Sequence, residues 1–454
     1  MISSRMTKRV LVAIIDFAIL GFSLYLSLSL RNLNLLSYQD FLMVFYPFLI
    51  ITIPTIIIFY MYGLYDKMTV KIYNELNKRI ISSLILSAVF GSIIFYSSSY
   101  FNIAPKTILL IYILVASFMI FVWRKYARIF IKSGLDNKVL LVASGSELME
   151  LKEELDNNKI LNTKKVDFID LSIYRDLDLF TKIKQKIREG QFNMLAINMH
   201  HQYVKNDIAL FYELFLENIN VINFADLYEE VLGKIPLENI DAGWFFNNLY
   251  NKQNKFYIKT KRVLDLILSV PVFLISLIFY PIVFIFLKIQ DGGSLFFISE
   301  RIGKDNKPFK LYKFRSMTDL KNEDIDVASK NESSRVTKFG EFIRKTRIDE
   351  LPQLINVVKG EVSLIGPRPE LPKLVIEYSN QIPFYGIRHT ITPGLSGYAQ
   401  IYQDPKSVPK FGLATDGTKL KLSYDVYYLK HRSVLLDLSL MIKTVKTLIG
   451  KTGL

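Results

Sequence analysis

The densest group of residues able to do chemistry is the run Arg344-Lys345-Thr346-Arg347-Ile348-Asp349-Glu350-Leu351-Pro352. Two adjacent carboxylates follow three cations. Pro352 suits the first turn of a helix and Gly360 its end, so Asp349 and Glu350 are expected at a helix start, near its positive pole. The pole and the cations should depress both carboxyl pKa values and keep both groups ionised. Such a group suits a phosphate and a Mg²⁺ ion. A plainer structural reading stands beside it: Thr346-x-x-Asp349 has the spacing of a capping box, and acidic residues favour helix starts for stability alone. Two other segments offer cations. Phe309-Lys310-Leu-Tyr-Lys313-Phe314-Arg315 alternates basic with aromatic residues, which suggests a strand with one cationic face. Gly366-Pro-Arg368-Pro369 follows a buried strand with a loop stiffened by two prolines, presenting the side chain suited to bidentate phosphate contact. Each also reads as a solvated strand face or a structural turn. The late segment Pro393-Gly-Leu-Ser-Gly-Tyr-Ala-Gln400 reads as a rigid turn carrying polar groups.

The rest of the composition narrows the chemistry. The chain has 454 residues, no Cys and four His. Thiolate metal sites, a Cys nucleophile and a disulfide framework are therefore excluded, and a His-rich zinc site is disfavoured. A catalytic metal would fall to carboxylates, which suits Mg²⁺. Half of the residues are hydrophobic and the net charge is +15. The charge is uneven: residues 1–136 carry +8, residues 137–260 carry −3 and residues 261–454 carry +10. The two basic parts are also the parts with long apolar runs, which points to a membrane surface and away from nucleic acid.

These segments need elements to carry them. Val10–Leu30, Phe41–Tyr62, Ile80–Phe101 and Thr107–Trp123 read as four transmembrane helices. Asp16 in the first is either a relay or, more plainly, a helix–helix contact. Basic residues lie before the first (Arg5, Lys8, Arg9), between the second and third (Lys67, Lys71, Lys78, Arg79) and after the fourth (Arg124, Lys125, Arg128, Lys132), so both ends are expected on the cytoplasmic side. Lys138–Val142, Val166–Asp170, Met194–Asn198 and Asn220–Phe224 read as short buried strands alternating with helices, a small doubly wound α/β domain. Its first turn has one Gly where a dinucleotide fingerprint needs three, so a structural or regulatory role is favoured over nucleotide binding. Leu266–Leu287 is a fifth apolar run with basic flanks on both sides. A segment that enters and returns to the same face satisfies both flanks better than a full span, with Pro271 and Pro281 supplying the break. Leu435–Ile449 is amphipathic and reads equally as a membrane-surface helix or as core.

Taken in order, Lys261-Arg262-Val-Leu-Asp265, Asp291-Gly-Gly, Lys313-Phe-Arg-Ser-Met317, Asp349-Glu350, Gly366-Pro-Arg-Pro369 and Pro393-Gly-Leu-Ser-Gly-Tyr-Ala-Gln400 resemble the bacterial sugar transferases, the monotopic polyprenyl-phosphate glycosyl-1-phosphate transferases. The resemblance covers about residues 255–454. It implies a three-part fold. A four-helix transmembrane domain would occupy 1–136 and a degenerate Rossmann-like α/β domain 137–235. A linker at 236–254 would lead to a mixed α/β catalytic domain at 255–454, with a re-entrant helix at about 263–288. It further implies Asp349 as nucleophile and Glu350 as its partner, both associated with Mg²⁺. Arg344 and Arg368 would hold phosphate groups, with Lys313, Arg315 and Gln400 completing the substrate set. Lys261, Arg262 and Pro281 would lie at the membrane face.

Two departures from the family pattern stand out: the break is Tyr280-Pro281, shifted by a few residues, and the late motif has Gly397-Tyr398 where Gly-Trp is usual. The expected reaction moves a sugar-1-phosphate from a UDP-sugar to undecaprenyl phosphate, on the cytoplasmic face of a bacterial inner membrane, as the first step of exopolysaccharide, capsule or O-antigen synthesis. The partners would be UDP-sugar, undecaprenyl phosphate and the lipid bilayer, with no nucleic acid and a homo-oligomer left open. The rivals are a membrane-anchored nucleotide-sugar dehydratase, for which Tyr257 and Lys261 supply the only Tyr-x-x-x-Lys spacing noted, and a non-catalytic export scaffold.

Overall fold

Apolar runs separated by short polar stretches fold into four helices, α1 (Ile2–Asn32), α2 (Tyr38–Met61), α3 (Leu76–Ser97) and α4 (Lys106–Ile131). The computed structural model describes residues 2–32, 34, 37–65, 76–97, 106–131, 137–157, 163–173, 179–206, 210–249, 255–317, 336–403 and 415–449. These divide into two compact units, Met1–Leu227 and Tyr228–Leu454.

In the first unit, Leu20, Leu24 and Leu28 of α1 pack with Phe48, Phe59, Ile80, Tyr112 and Ile120 from the other three helices. Large apolar side chains also cover the outside of this group, Ile14, Leu114 and Phe118 among them. Helices apolar all round belong inside a larger body or a bilayer. Among the described residues, 11–32 form a helix long and apolar enough to cross a membrane by itself. Asp16 makes the helix–helix contact: it is fully buried, ion-paired with Arg124, and accepts a hydrogen bond from the Tyr65 hydroxyl at 2.7 Å. Lys67, Lys71 and Lys132, on which the expected orientation partly rests, lie outside the described residues.

The first unit also holds a four-stranded sheet of β1 (Asn137–Ala143), β2 (Thr163–Asp170), β3 (Met194–Ile197) and β4 (Asn220–Asn223), in the order β2-β1-β3-β4 with every neighbouring pair parallel. Parallel strands need both faces covered, and the central run Val139–Ala143 is correspondingly apolar and wholly buried.

The second unit is built around two bent apolar helices, α5 (Lys255–Ser276) and α6 (Phe279–Asp291), which meet at 48°. Pro271 lies inside α5 without interrupting it. The bend falls at Leu277-Ile278, where the amides of Ile278 and Tyr280 reach back only three residues, to Ile275 and Leu277. Pro281 has no N–H to continue the ladder, but in the first turn of α6 none is needed. The Tyr280-Pro281 pair therefore starts the second helix and the break precedes it. Val263, Ile267, Ile275, Ile278 and Phe286 are exposed along both helices.

Beyond the bend, β5 (Phe296–Ile302) and β6 (Pro308–Phe314) pair antiparallel, and β7 (Ser363–Ile365) pairs parallel with β8 (Gly394–Ser396). Between them lie α7 (Lys338–Lys345) and α8 (Gln353–Lys359). Two later helices, α9 (Thr415–His431) and α10 (Val434–Ile449), complete this group, and α10 is packed rather than free, with Leu440 in a core with Ile365, Tyr398 and Tyr428.

Candidate active site

Helix α7 is capped by Thr337, whose hydroxyl accepts from the Gly340 amide at 2.9 Å. Thr346 closes the same helix, its hydroxyl donating to the Phe342 carbonyl at 2.8 Å. It is therefore a C-cap, and the capping box suggested by its spacing to Asp349 does not form. Arg347 then takes a left-handed conformation, φ 59° and ψ 15°. A non-glycine residue there costs roughly 1–3 kcal/mol, a strain typical of functional sites. The turn aims the next residues into a short 3₁₀ segment, Ile348–Glu350, just ahead of α8 rather than inside its first turn. Helix α8 ends where Gly360 adopts φ 87°, its amide returning to the Asn356 and Val357 carbonyls.

Glu350 collects cations from three elements. Lys313 of β6 donates to its Oε1 at 3.0 Å, Arg368 to the same oxygen at 3.2 Å, and Arg347 stands 3.8 Å from Oε2. Burial alone would push this carboxyl up, but Arg368, Lys313 and Arg347 outweigh it and hold it at about 2. Asp349 differs. It is 7% exposed, and burial followed by the Glu350 charge pushes its carboxyl above the ordinary value of 3.8 against the pull of Lys313, Arg344 and Arg347. The expectation that both carboxyls are depressed is thus corrected. The direct cation contacts go to Glu350, and desolvation decides Asp349. Its Oδ1 is buried without a hydrogen-bond partner among the described residues.

The strand supplying Lys313 is not cationic on one face. Lys310, three positions away, stands exposed on the opposite side. Arg315, expected to meet substrate, is buried against Gly293, where an added Cβ would lie 1.9 Å from its guanidinium. Gly292, directly after Asp291, takes φ 71° at the end of α6, a left-handed conformation that favours glycine.

Arg368 is positioned by backbone packing. The Gly366 amide donates to the Ser396 carbonyl at 2.9 Å, and the Gly394 amide to Pro367 at 2.9 Å. A Cβ on Gly394 would fall 2.0 Å from the Gly366 nitrogen. The glycines of two distant motifs thus let β7 and β8 meet and send Arg368 toward Glu350. Behind the loop, Arg388 is 2% exposed. It donates to the Arg368 carbonyl at 2.9 Å and to the Tyr385 hydroxyl at 2.7 Å, and pairs with Asp425 at 2.9 Å. Glu370, bonded to Lys421 and near Arg388, is held at about 2 by those cations despite its burial. Burial and the Arg388 charge push the neighbouring His389 down to about 4. Sequence reasoning missed Arg388 as a brace and Arg347 as a partner of Glu350. The positive φ of Arg347 and the burial of Arg388 leave no trace in composition.

The remaining expected residues scatter. Arg344 is exposed in the last turn of α7 and acts on Asp349 through space. Gln400 is exposed in the short helix Tyr398–Tyr402 and is not among the residues joined to Glu350. Tyr398 is buried, stacked on Tyr427 with its hydroxyl on the Gly233 carbonyl at 3.1 Å, so it serves packing. Lys261 bonds Asp437 at 2.8 Å, and Arg262 donates to the Val357 and Val358 carbonyls at the end of α8, both at 2.6 Å. Asp265 accepts from Ser363 at 2.7 Å and from the Leu364 amide at 3.2 Å. The start of the bent helix pair is therefore tied to both elements that flank the site. Among the described residues, no group of three or more His, Asp or Glu could hold a metal. The Asp349–Glu350 pair still fits Mg²⁺, which takes one or two carboxylates and completes its shell with water and phosphate, because Asp349 keeps a bare hard oxygen.

The order of these elements can be set beside known proteins. A profile of the family described as bacterial sugar transferase matches residues 256–451. A UDP-N-acetylgalactosamine-undecaprenyl-phosphate N-acetylgalactosaminephosphotransferase of Aeromonas hydrophila is 33% identical over 238 residues, 52% of this chain and 54% of that protein. The match thus spans little more than half of that relative's length. An uncharacterised sugar transferase of Bacillus subtilis is 37% identical over 202 residues, 43% of this chain and 89% of its own. A galactosyl transferase of Streptococcus agalactiae is 28% identical along 97% of this chain and 99% of its own. Asp349, Glu350, Lys313 and Arg368, gathered at one place in the second unit, all lie within the matched region, and the chain belongs to the bacterial sugar transferase family.

Proposed function

We propose that the protein transfers a sugar-1-phosphate from a UDP-sugar to undecaprenyl phosphate and releases UMP. The observation that carries this reading is the contrast between neighbours. Glu350 takes hydrogen bonds from Lys313 and Arg368 on Oε1 with Arg347 3.8 Å from Oε2, while the Asp349 Oδ1 beside it is buried without a hydrogen-bond partner among the described residues. A desolvated carboxylate with a bare oxygen beside phosphate-binding cations suits a nucleophile for phosphorus.

In the first step an Asp349 oxygen attacks the sugar-bearing phosphorus. The bond from that phosphorus to the bridging oxygen breaks and UMP leaves with the electron pair. An acyl phosphate carrying the sugar remains on Asp349. In the second step a phosphate oxygen of undecaprenyl phosphate attacks the same phosphorus and the Asp349 carboxylate departs. Arg344, Arg368 and Lys313 neutralise the diphosphate, and Glu350 fixes the last two in place. Asp349 with Glu350 would hold Mg²⁺, which when bound supplies further charge neutralisation on the phosphates.

The exposed apolar side chains of α5 and α6 suit immersion in one leaflet as a re-entrant element, with the site at the cytoplasmic face of an inner membrane and α1–α4 spanning it. The dehydratase alternative loses its motif, because Tyr257 and Lys261 both bond Asp437. UMP release from a panel of UDP-sugars, with and without Mg²⁺, tests the reading and names the sugar. Asp349→Asn should abolish release, and substantial UMP from that variant sinks the nucleophile assignment.

A further inference from the structure

Leu351 (φ −56°, ψ −36°) and Pro352 (φ −62°, ψ −21°) keep helical dihedrals between the Ile348–Glu350 turn and α8. Residues 349 and 353 are therefore one turn apart on a shared face. Gln353 is 4% exposed. Its amide nitrogen, which carries two donors, is buried without a hydrogen-bond partner among the described residues, as is the Asp349 Oδ1. Buried polar groups are nearly always paired, so an orphaned donor one turn from an orphaned acceptor needs a reason. The helix can satisfy a buried amide: Asn356, three residues on, donates to the Lys310 carbonyl and to Glu361, both at 2.7 Å, and accepts from the Tyr312 amide at 3.2 Å. Gln353 alone of the two is left open, beside the candidate nucleophile.

We propose that Gln353 contacts substrate, its amide donating to a non-bridging oxygen of the phosphoryl group that Asp349 attacks; this rests on the phosphoryl-transfer reading above. The ligand class is a tetrahedral phosphoryl group in a diphosphate. A neutral donor adds little charge but fixes the direction of an oxygen that turns as phosphorus passes through its five-coordinate geometry, as an oxyanion-hole donor does.

The test uses the full chain, with Gln353→Met removing the donors at similar volume. Two quantities are read: the melting temperature without substrate, and kcat and KM for UMP release. Removing an orphaned buried amide should leave the melting temperature equal or higher. kcat should fall about 100-fold with KM nearly unchanged, as for loss of a transition-state donor. A fall in melting temperature of several degrees overturns the proposal, because the amide then has a structural partner. A kcat within about threefold of the parent overturns it too. Gln353→Glu, which keeps the shape and withdraws the donors, should repeat the loss of kcat; full activity there counts against the contact. Failure of the parent chain to release UMP from any UDP-sugar is a separate result, which removes the phosphoryl-transfer reading itself.

Discussion

Two adjacent carboxylates of nearly identical chemistry end in opposite electrostatic states. Glu350 turns to three cations and stays ionised far into acid, while Asp349 turns to an enclosed position where burial and its neighbour's charge raise its pKa. The shift has a direct consequence for rate. A nucleophilic carboxylate must be ionised, so activity falls as pH drops through its pKa, and raising that pKa moves the acid limb upward. The limb of kcat/KM should therefore lie above 3.8, the ordinary Asp value. Glu350→Gln removes the nearby negative charge and frees Lys313 and Arg368, so in that variant the limb should shift to lower pH while overall activity declines. A pH–rate profile whose acid limb stays in place in Glu350→Gln contradicts this account of Asp349. The adjacency of the two residues was legible in the sequence. Their divergence was not, because it depends on which side chains from β6 and the Arg368 loop reach which oxygen.

At the scale of elements, the site hangs on two short parallel strands that touch at glycines. β7 and β8 are three residues each, yet they join segments about 30 residues apart and carry the Arg368 loop between them. Close backbone approach is the reason for glycine here, since a Cβ at 394 would meet the Gly366 nitrogen at 2.0 Å. Gly394→Ala should separate the strands, lower the melting temperature by several degrees and cut activity at least tenfold through displacement of Arg368. A variant with normal melting and normal turnover refutes this account of the strand contact. The motifs containing these glycines were visible as rigid turns. Their pairing was not, because a three-residue strand has too short a pattern to announce its partner. The strands of the first unit were easier to find, because Val139–Ala143 is a continuous apolar run between turn residues. The bend of the apolar helix pair was legible in part: the prolines marked the region, but the backbone gives way at Leu277-Ile278, just before Pro281.

For the whole molecule, the second unit extends further toward the N-terminus than the family-matched region. Glu229 lies well ahead of residue 256, yet it binds Lys430 at 2.7 Å and His431 within that unit. The hydrogen bond with His431 and the Lys430 charge outweigh its burial and hold its carboxyl at about 2. Glu229→Ala would leave Lys430 buried without its carboxylate and should cost about 3 kcal/mol, read as a lower denaturation midpoint of the full chain. An unchanged midpoint would mean that the contact contributes nothing. By itself the sequence determined what local composition encodes: the apolar helices, the alternating α/β elements of the middle, the absence of thiols and the ordered motifs of a sugar transferase. Only the tertiary structure decided which cation meets which carboxylate, that Arg315 and Tyr398 are buried, and that Arg388 and Gln353 lie beside the site. The physical reason is the same throughout. Periodicity and turn chemistry act between near neighbours, whereas desolvation and charge pairing depend on residues brought together from distant parts of the chain.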